Sequence, residues 1–253
     1  MPNEHTALRS TGLYTGKKID AHAHVGDWPG WASLSGTQEE LLGLMDRHGV
    51  QKAVIFYPDN SLVKKTVKAH SDRLIGCVWP DPHDPGSRRL VRTALSKWGF
   101  RGVKLHPLFG AYLPNDEIVH PIMEEARRAR VPVLVHSGHA PFSLPWSIGE
   151  LAEAFPDVTV VMLHMGGGNG IYIQAAIDTA KRLENVMLET SHMTLYSKVR
   201  EAVEVLGADR VMFGSDYPFG ETEIEIRKIT AAGLSKPELE RVFYKNAEEL
   251  FSP

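Results

Sequence analysis

Eight short apolar runs recur along this chain at intervals that match a repeated strand-and-helix unit. Each run holds four to eight mostly β-branched or apolar residues with Gly or Pro beside it, the pattern of a strand buried on both faces. Successive runs end 22 to 33 residues apart, which is the length of a strand, a helix and two short loops. The runs end near His24, Tyr57, Trp79, His106, His136, His164, Thr190 and Asp216.

Helical patterns fill the intervals and predict helices over residues 37–48, 61–71, 84–98, 116–130, 145–155, 171–183, 197–206 and 221–232. A ninth helix begins at Ser235, which forms a capping box with Glu238. Eight strand–helix units in 253 residues predict a single α/β domain, the (β/α)8 or TIM barrel, with an extra C-terminal helix. A doubly wound open sheet is the alternative, but it usually has fewer strands and gathers ligands at one switch point. We predict an N-terminal arm over residues 1–16 and a barrel domain over residues 17–253.

Ionisable side chains stand near the carboxyl ends of five predicted strands. On the first strand, His22 and His24 are two positions apart and point the same way, which suits a divalent ion such as zinc. Other strands end with Lys104, His106, His136, His164 and Asp216. An unpaired polar group in a buried strand is costly, and barrel enzymes collect functional groups at this mouth. We therefore expect one shared site rather than separate rim histidines that each bind a backbone carbonyl.

Two short motifs carry a family resemblance. Residues 213–218 (FGSDYP) and 246–251 (NAEELF) resemble the amidohydrolase-related branch of the amidohydrolase superfamily, and the order and spacing of the histidines agree over residues 17–251. That branch includes aminocarboxymuconate semialdehyde decarboxylase and many uncharacterised metal-dependent hydrolases. The resemblance implies that His22, His24, His136 and Asp216 are metal ligands. It implies that His164 is either a ligand of a second metal or a catalytic residue beside a single one.

Lys104 decides between one metal and two. Its segment resembles that of dihydroorotase-like members, where a carboxylated lysine bridges two metals, whereas the decarboxylase-like branch generally uses one metal without a bridge. As a plain ammonium, Lys104 would hold a substrate carboxylate or pair with an acid such as Asp20. The branch resemblance favours one divalent ion, with zinc as the expected metal, and leaves His164 and Lys104 as candidates for a second.

The predicted ligands lead to a hydrolase as the main functional interpretation. A bound zinc can activate water, with Asp216 as proton acceptor and His164 as donor to the oxyanion or leaving group. The substrate would be a small carboxylated or cyclic amide or lactone, contacted by Lys104, His106, His192 and Trp28. The alternative enzyme class is non-oxidative decarboxylation of an unsaturated or aromatic acid at the same site. A third interpretation is a metal-free barrel that acts as a binding protein.

Composition and charge are those of a cytoplasmic enzyme with a small-molecule substrate. The 28 basic and 31 acidic residues give a net charge of −3, and no basic block indicates nucleic acid. The single cysteine, Cys77, lies in the third predicted strand and is expected to pack there. The sequence has no apolar run of the length that predicts a membrane span, and the first residues lack the apolar core of a signal peptide. The sequence leaves homo-oligomerisation open.

Overall fold

The structure, a computed structural model, describes residues 12–30 and 34–252. Its strands in this part of the chain are β1 (Lys18–His24), β2 (Gly26–Trp28), β3 (Leu34–Gly36), β4 (Val50–Phe56), β5 (Leu74–Val78), β6 (Gly102–Leu105), β7 (Val133–His136), β8 (Val160–Leu163), β9 (Val186–Glu189) and β10 (Val211–Met212). Eight of them form one parallel sheet in the order β1-β4-β5-β6-β7-β8-β9-β10. Only β2 and β3 stand apart among the described strands, as a short antiparallel hairpin after β1.

Backbone hydrogen bonds bring the last strand back to the first. The Ala21 N–H donates to the Phe213 carbonyl (3.0 Å), and the Asp216 N–H donates to the His22 carbonyl (2.7 Å). A further parallel bridge joins Ala23 to Tyr217. The eight parallel strands therefore curl into a barrel, which confirms the predicted (β/α)8 fold.

The helices surround this barrel: α1 (Gln38–His48), α2 (Asn60–Ala69), α3 (Ser87–Lys97), α4 (Pro107–Gly110), α5 (His120–Ala129), α6 (Pro145–Ala154), α7 (Gly170–Arg182), α8 (Tyr196–Leu206), α9 (Thr222–Ala231), α10 (Lys236–Glu240) and α11 (Asn246–Phe251). Local chemistry sets their ends. The Thr37 hydroxyl accepts a hydrogen bond from the Glu40 N–H (3.2 Å) and begins α1, and Gly49, with φ of 67°, ends it. No helix in the described part of the chain has both the length and the apolar composition needed to cross a bilayer.

Three predicted helices differ from the structure. The helix predicted from residue 84 begins at Ser87, because the Asp84 carboxylate binds the Gly86 N–H (2.7 Å) and forms a turn there. The helix predicted over 116–130 is divided into a 3-10 turn, Glu117–Val119, and α5, because Pro121 fits the first turn of a new helix. The ninth helix has its capping box at Ser235 but passes through a π-helical turn, Arg241–Lys245, between α10 and α11.

Apolar side chains form two layers that leave the carboxyl ends of the strands open. One layer lies between the sheet and the helices, and the other fills the barrel interior. The interior layer includes Ile19, Val54, Cys77, Leu134, Val161 and Met212, with Ala247 and Phe251 of α11 in the same cluster. The prediction that Cys77 packs in its strand is confirmed. Of the predicted arm, residues 1–11 lie outside the described residues, and Tyr14 stacks on Phe243 with ring centroids 4.6 Å apart.

Candidate active site

Three buried side chains meet at the barrel mouth. His22 Nε2 lies 2.9 Å from Asp216 Oδ1, and His24 Nε2 lies 3.0 Å from the same oxygen. The two histidines face inward because the β1–β4 register shifts between Asp20 and Ala23. Below the shift Ala21 packs inside the barrel, whereas above it Ala23 packs in the outer layer, so its neighbours His22 and His24 point to the interior.

Asp216 reaches this cluster from a turn after β10. Its φ of 54° is left-handed, a conformation that costs a non-glycine residue about 1 to 3 kcal/mol and is kept mainly at functional sites. Burial alone would raise the pKa of Asp216, but His22, His192 and His24 together lower that pKa well below its ordinary value. The carboxylate is therefore ionised and surrounded by imidazoles.

The arrangement of hydrogen bonds fits a cation between these groups. His22 Nδ1 lies 2.9 Å from Glu189 Oε2, a carboxylate oxygen that can only accept, so Nδ1 carries the proton. In the neutral ring, Nε2 then presents a lone pair to Asp216 Oδ1. Burial would lower the pKa of His22, but Asp216 raises it, so the position between the two atoms favours a positive charge. Two lone pairs at 2.9 Å repel each other unless a proton or a cation lies beside them. Two imidazoles and a carboxylate within 4.8 Å of one another are a donor set for a divalent transition metal.

Glu189, the last residue of β9, binds this cluster through hydrogen bonds. Glu189 Oε2 accepts from His22 and from the His164 N–H (3.3 Å), and Glu189 Oε1 accepts from the Ser191 N–H (2.5 Å). Burial would raise the pKa of Glu189, but these bonds, and above all the one with His22, lower it. A carboxylate behind a histidine fixes the tautomer and the direction of the ring, as in many metal centres.

His136 and His164 form a second cluster beside the first. His164 Nε2 lies 3.0 Å from His136 Nδ1, and His136 Nε2 lies 2.9 Å from His139 Nδ1. Burial lowers the pKa of His136 and of His164 well below the ordinary value, so both rings are neutral. The structure brings His164, together with His22 and Glu189, into a second group of atoms within 4.8 Å. His136 belongs to neither compact group among the described residues.

Strand alternation does not explain how His164 points inward. Val161 and Leu163 of β8 face the barrel interior, so a continued strand would turn His164 outward. The strand instead ends at Leu163, and His164 and Met165 adopt left-handed φ values of 63° and 50°. This turn carries the His164 ring to the mouth, where its Nδ1 lies 3.2 Å from the Ser191 carbonyl.

Lys104 is fully buried and has no hydrogen-bond partner for its Nζ among the described residues. The ammonium lies over the rings of Phe56 and Trp79, 4.6 and 5.7 Å from their centroids. Burial lowers its pKa from 10.5 to about 7. The alternative pairing with Asp20 is not formed, because that carboxylate accepts from the backbone N–H groups of His22 (3.0 Å) and Ser215 (2.9 Å) and from the Ser215 hydroxyl (2.5 Å).

These side chains surround a cavity of about 290 Å³ at the mouth. His106 lies in a set of nearly parallel rings, with centroids 3.9 Å from His136, 4.0 Å from Phe109 and 5.3 Å from Trp79. Its Nδ1 also accepts from the Phe109 N–H (3.3 Å) and begins the short helix α4. All the residues predicted for the site from the sequence line this cavity: His22, His24, Trp28, Lys104, His106, His136, His164, His192 and Asp216.

The structure also adds residues that the sequence did not single out. Trp79, Phe109 and Phe219 form apolar walls of the cavity. Trp79 ends the third predicted strand and Phe219 follows Asp216 by three positions, so their location near strand ends was the available signal. His192 does not only border the cavity, since its Nε2 lies 3.0 Å from Asp216 Oδ2. This contact raises the pKa of His192. Its effect is larger than that of burial, which lowers the pKa.

The chain matches the family model described as amidohydrolase over residues 19–252 and therefore belongs to the amidohydrolase family. This confirms the predicted family and an enzyme of that type. A gamma-resorcylate decarboxylase from Polaromonas sp. strain JS666 is 24% identical over 327 residues, which cover 98% of this chain and 95% of that protein.

Solved structures share the fold over nearly the whole chain. The 5-carboxyvanillate decarboxylase from Sphingomonas paucimobilis has a TM-score of 0.73 at 18% identity, covering 93% of this chain and 98% of its own. A dihydroxybenzoic acid decarboxylase from Polaromonas sp. JS666, solved with bound manganese and the inhibitor 2-nitroresorcinol, has a TM-score of 0.74 at 18% identity. That match covers 93% of this chain and 97% of the other.

Proposed function

We propose that this member of the amidohydrolase family is a metal-dependent, non-oxidative decarboxylase of a small aromatic acid. The cavity that holds the histidine–aspartate cluster also holds flat aromatic walls and a buried ammonium that has no hydrogen-bond partner among the described residues. The similar proteins named above are decarboxylases of aromatic acids, which favours this class over the hydrolysis that the superfamily alone suggests.

The observation that carries the proposal is that two hydrogen-bond donors in the cavity wall have no acceptor among the described residues. Lys104 Nζ and Trp28 Nε1 are both buried and lack a hydrogen-bond partner within residues 12–30 and 34–252. A buried donor without an acceptor costs about 1 to 3 kcal/mol, and more if it is charged. A ligand that supplies acceptor oxygens, one of them anionic, removes this cost. An aromatic acid with an oxygen on its ring has these groups and a flat shape.

We propose that His22, His24, His136 and Asp216 hold one divalent ion. Manganese is bound in the similar decarboxylase structure, and zinc suits the same nitrogen and oxygen donors. When bound, the ion would supply Lewis-acid stabilisation of the negative charge on the acid's oxygens. His136 would have to leave its contact with either His164 or His139 to offer a ring nitrogen.

The protein's own residues then have separate tasks. Lys104 binds an anionic oxygen of the acid, and the aromatic walls of Trp79 and Phe109 keep water from the ring. The bond between ring carbon and carboxylate breaks, its electron pair stays on the ring carbon, and carbon dioxide leaves. That carbon then takes one proton. The Asp216–His192 pair, whose Oδ2 and Nε2 atoms lie 3.0 Å apart, supplies it. Neutral His164 donates from Nδ1 to the Ser191 carbonyl, so its Nε2 is the nitrogen that accepts a hydrogen bond at the mouth.

One feature favours the hydrolase class instead. The alignment with the gamma-resorcylate decarboxylase spans 327 residues, more than the 253 of this chain, so that relative carries insertions that this compact chain lacks. Such insertions can shape a substrate pocket, and their absence leaves hydrolysis of a small amide or lactone as the second candidate.

A substrate panel separates the candidates. Protein stripped with a chelator and reloaded with manganese or zinc is incubated with 2,6-dihydroxybenzoate, 5-carboxyvanillate, related hydroxybenzoates, and simple lactones and amides, and carbon dioxide is quantified. We expect metal-dependent carbon dioxide release that Asp216→Asn abolishes and that Asp178→Asn, a change on the outer helix α7, leaves intact. Turnover of lactones or amides without carbon dioxide would favour the hydrolase. A protein that takes up no metal would instead favour a binding function.

A further inference from the structure

A buried ion pair on α9 lies directly behind the mouth, outside the proposed metal ligands. Glu225 and Lys228 are one helical turn apart, and their side chains are each only 9% exposed. Glu225 Oε2 accepts from Lys228 Nζ. Lys228 also donates to the Thr190 carbonyl (2.5 Å), and Glu225 Oε1 accepts from the His192 N–H (3.3 Å). Each member of the pair therefore binds the segment that follows β9.

That segment turns away from the strand through a left-handed residue. His192 has a left-handed φ of 54°, a conformation that is uncommon for residues other than glycine, although histidine adopts it more often than most. Its side chain is 45% exposed, so packing alone does not fix the ring. The ring nevertheless places Nε2 3.0 Å from Asp216 Oδ2. The other oxygen of the same carboxylate, Oδ1, faces His22 and His24.

We propose that Glu225 and Lys228 are positioning residues, which hold His192 against Asp216 and thereby fix the rotation of the Asp216 carboxylate. A buried ion pair adds little net stability, because desolvation offsets the attraction, but it can select one conformation of the chain around it. Here the selected conformation is the turn that presents His192. Without the anchors the exposed ring can turn to solvent, and the Asp216 carboxylate then keeps, within the described part of the chain, its contacts with the two histidines of β1.

The test is a double-mutant cycle. Its kinetic measurements depend on the proposed decarboxylase function, whereas NMR of His192 and the binding of manganese do not. Glu225→Met removes both contacts of the carboxylate, whereas Glu225→Gln keeps an acceptor for the His192 N–H. We expect Glu225→Met to lower kcat about tenfold with KM changed less than about twofold, and Glu225→Gln to recover much of the loss. A residue that acts through His192 adds nothing once His192 is changed, so Glu225→Met/His192→Gln should match His192→Gln alone. Effects that multiply would overturn the proposal.

Two measurements do not need turnover. In metal-free protein, ring resonances of His192 in histidine-selective NMR should be sharp in the wild type and broadened or shifted in Glu225→Met. Binding of manganese alone should weaken about three- to tenfold in the same variant.

Glu201→Gln is the matched control, because Glu201 and Lys198 form an i,i+3 pair on α8 that does not line the cavity. Unchanged His192 resonances and manganese affinity in Glu225→Met would refute the proposal. If Glu225→Met does not fold because Lys228 is left charged and unpaired, Glu225→Met with Lys228→Met provides the uncharged pair for the same comparison.

Discussion

Replacing Lys104 by methionine should make the metal-free protein more stable and its substrate binding weaker. Lys104 is fully buried, and its ammonium has no hydrogen-bond partner among the described residues. Methionine has a similar length and no charge, so it can occupy the space between Phe56 and Trp79. A lysine kept for stability would show the opposite result.

The size of the effect follows from the pKa of Lys104. Burial lowers that pKa from 10.5 to about 7, and each pKa unit corresponds to about 1.4 kcal/mol. The charged form therefore costs up to about 5 kcal/mol relative to a neutral side chain, and we expect a gain of about 2 to 5 kcal/mol. Below pH 7 the folded and unfolded states both carry the proton, and the cost is at its full value. Between pH 7 and 10.5 the unfolded state binds more protons, so wild-type stability rises with pH and the advantage of the variant shrinks.

Urea denaturation of metal-free protein at pH 6.5 and pH 9.5 measures this difference. The matched control is Lys18→Met, because the buried Lys18 Nζ donates to the carbonyls of Gly16 (3.1 Å) and His48 (3.0 Å). Its loss leaves these carbonyls without their donor and should destabilise the protein. The reasoning is refuted if Lys104→Met is no more stable than wild type at pH 6.5. The variant should also keep about one metal per chain. Two metals per wild-type chain that need bicarbonate for reloading, and that are both disturbed in the variant, would show a carboxylated Lys104 instead.

Three further substitutions test the site. His22→Ala should abolish tight metal binding, measured by elemental analysis, while circular dichroism shows a folded barrel; full metal content with unchanged activity would contradict the ligand assignment. Asp216→Asn should lower kcat at least 100-fold, about 2.7 kcal/mol of barrier, and a rate above a tenth of wild type at saturating metal and substrate would rule out its proton-transfer role. Trp28→Phe removes one N–H and should weaken a hydroxybenzoate about fivefold in a calorimetric titration without affecting benzoate. Equal losses for both ligands would exclude Trp28 as a donor to the ring oxygen.

Strand periodicity was enough to predict the barrel and the mouth as the place of the site. His22 and His24 share an inward face as expected, and Lys104 and His106 do the same, because alternation holds after the register shift of β1 and continues to His106, one residue past β6. Periodicity fails where the strand ends. The left-handed turn at His164 reverses the direction that alternation alone implies. Sequence patterns describe regular backbone and carry little information about such single residues.

Contacts between distant loops were also beyond the sequence. The β2–β3 hairpin that carries Trp28 has strands of three residues, too short for a periodic signal. Asp20 binds Ser215 rather than Lys104, a choice set by how the last strand meets the first. The separation of His136 from the His22–His24–Asp216 cluster likewise depends on ring positions, which the spacing of residues does not define.

The most direct test of the metal centre is anomalous diffraction from crystals soaked in manganese, with data collected on both sides of the manganese absorption edge. We expect one strong peak per chain, within bonding distance of His22, His24, His136 and Asp216, with Lys104 outside its ligands. Two peaks bridged by Lys104, or a peak held by His164 and Glu189 without Asp216, would contradict it.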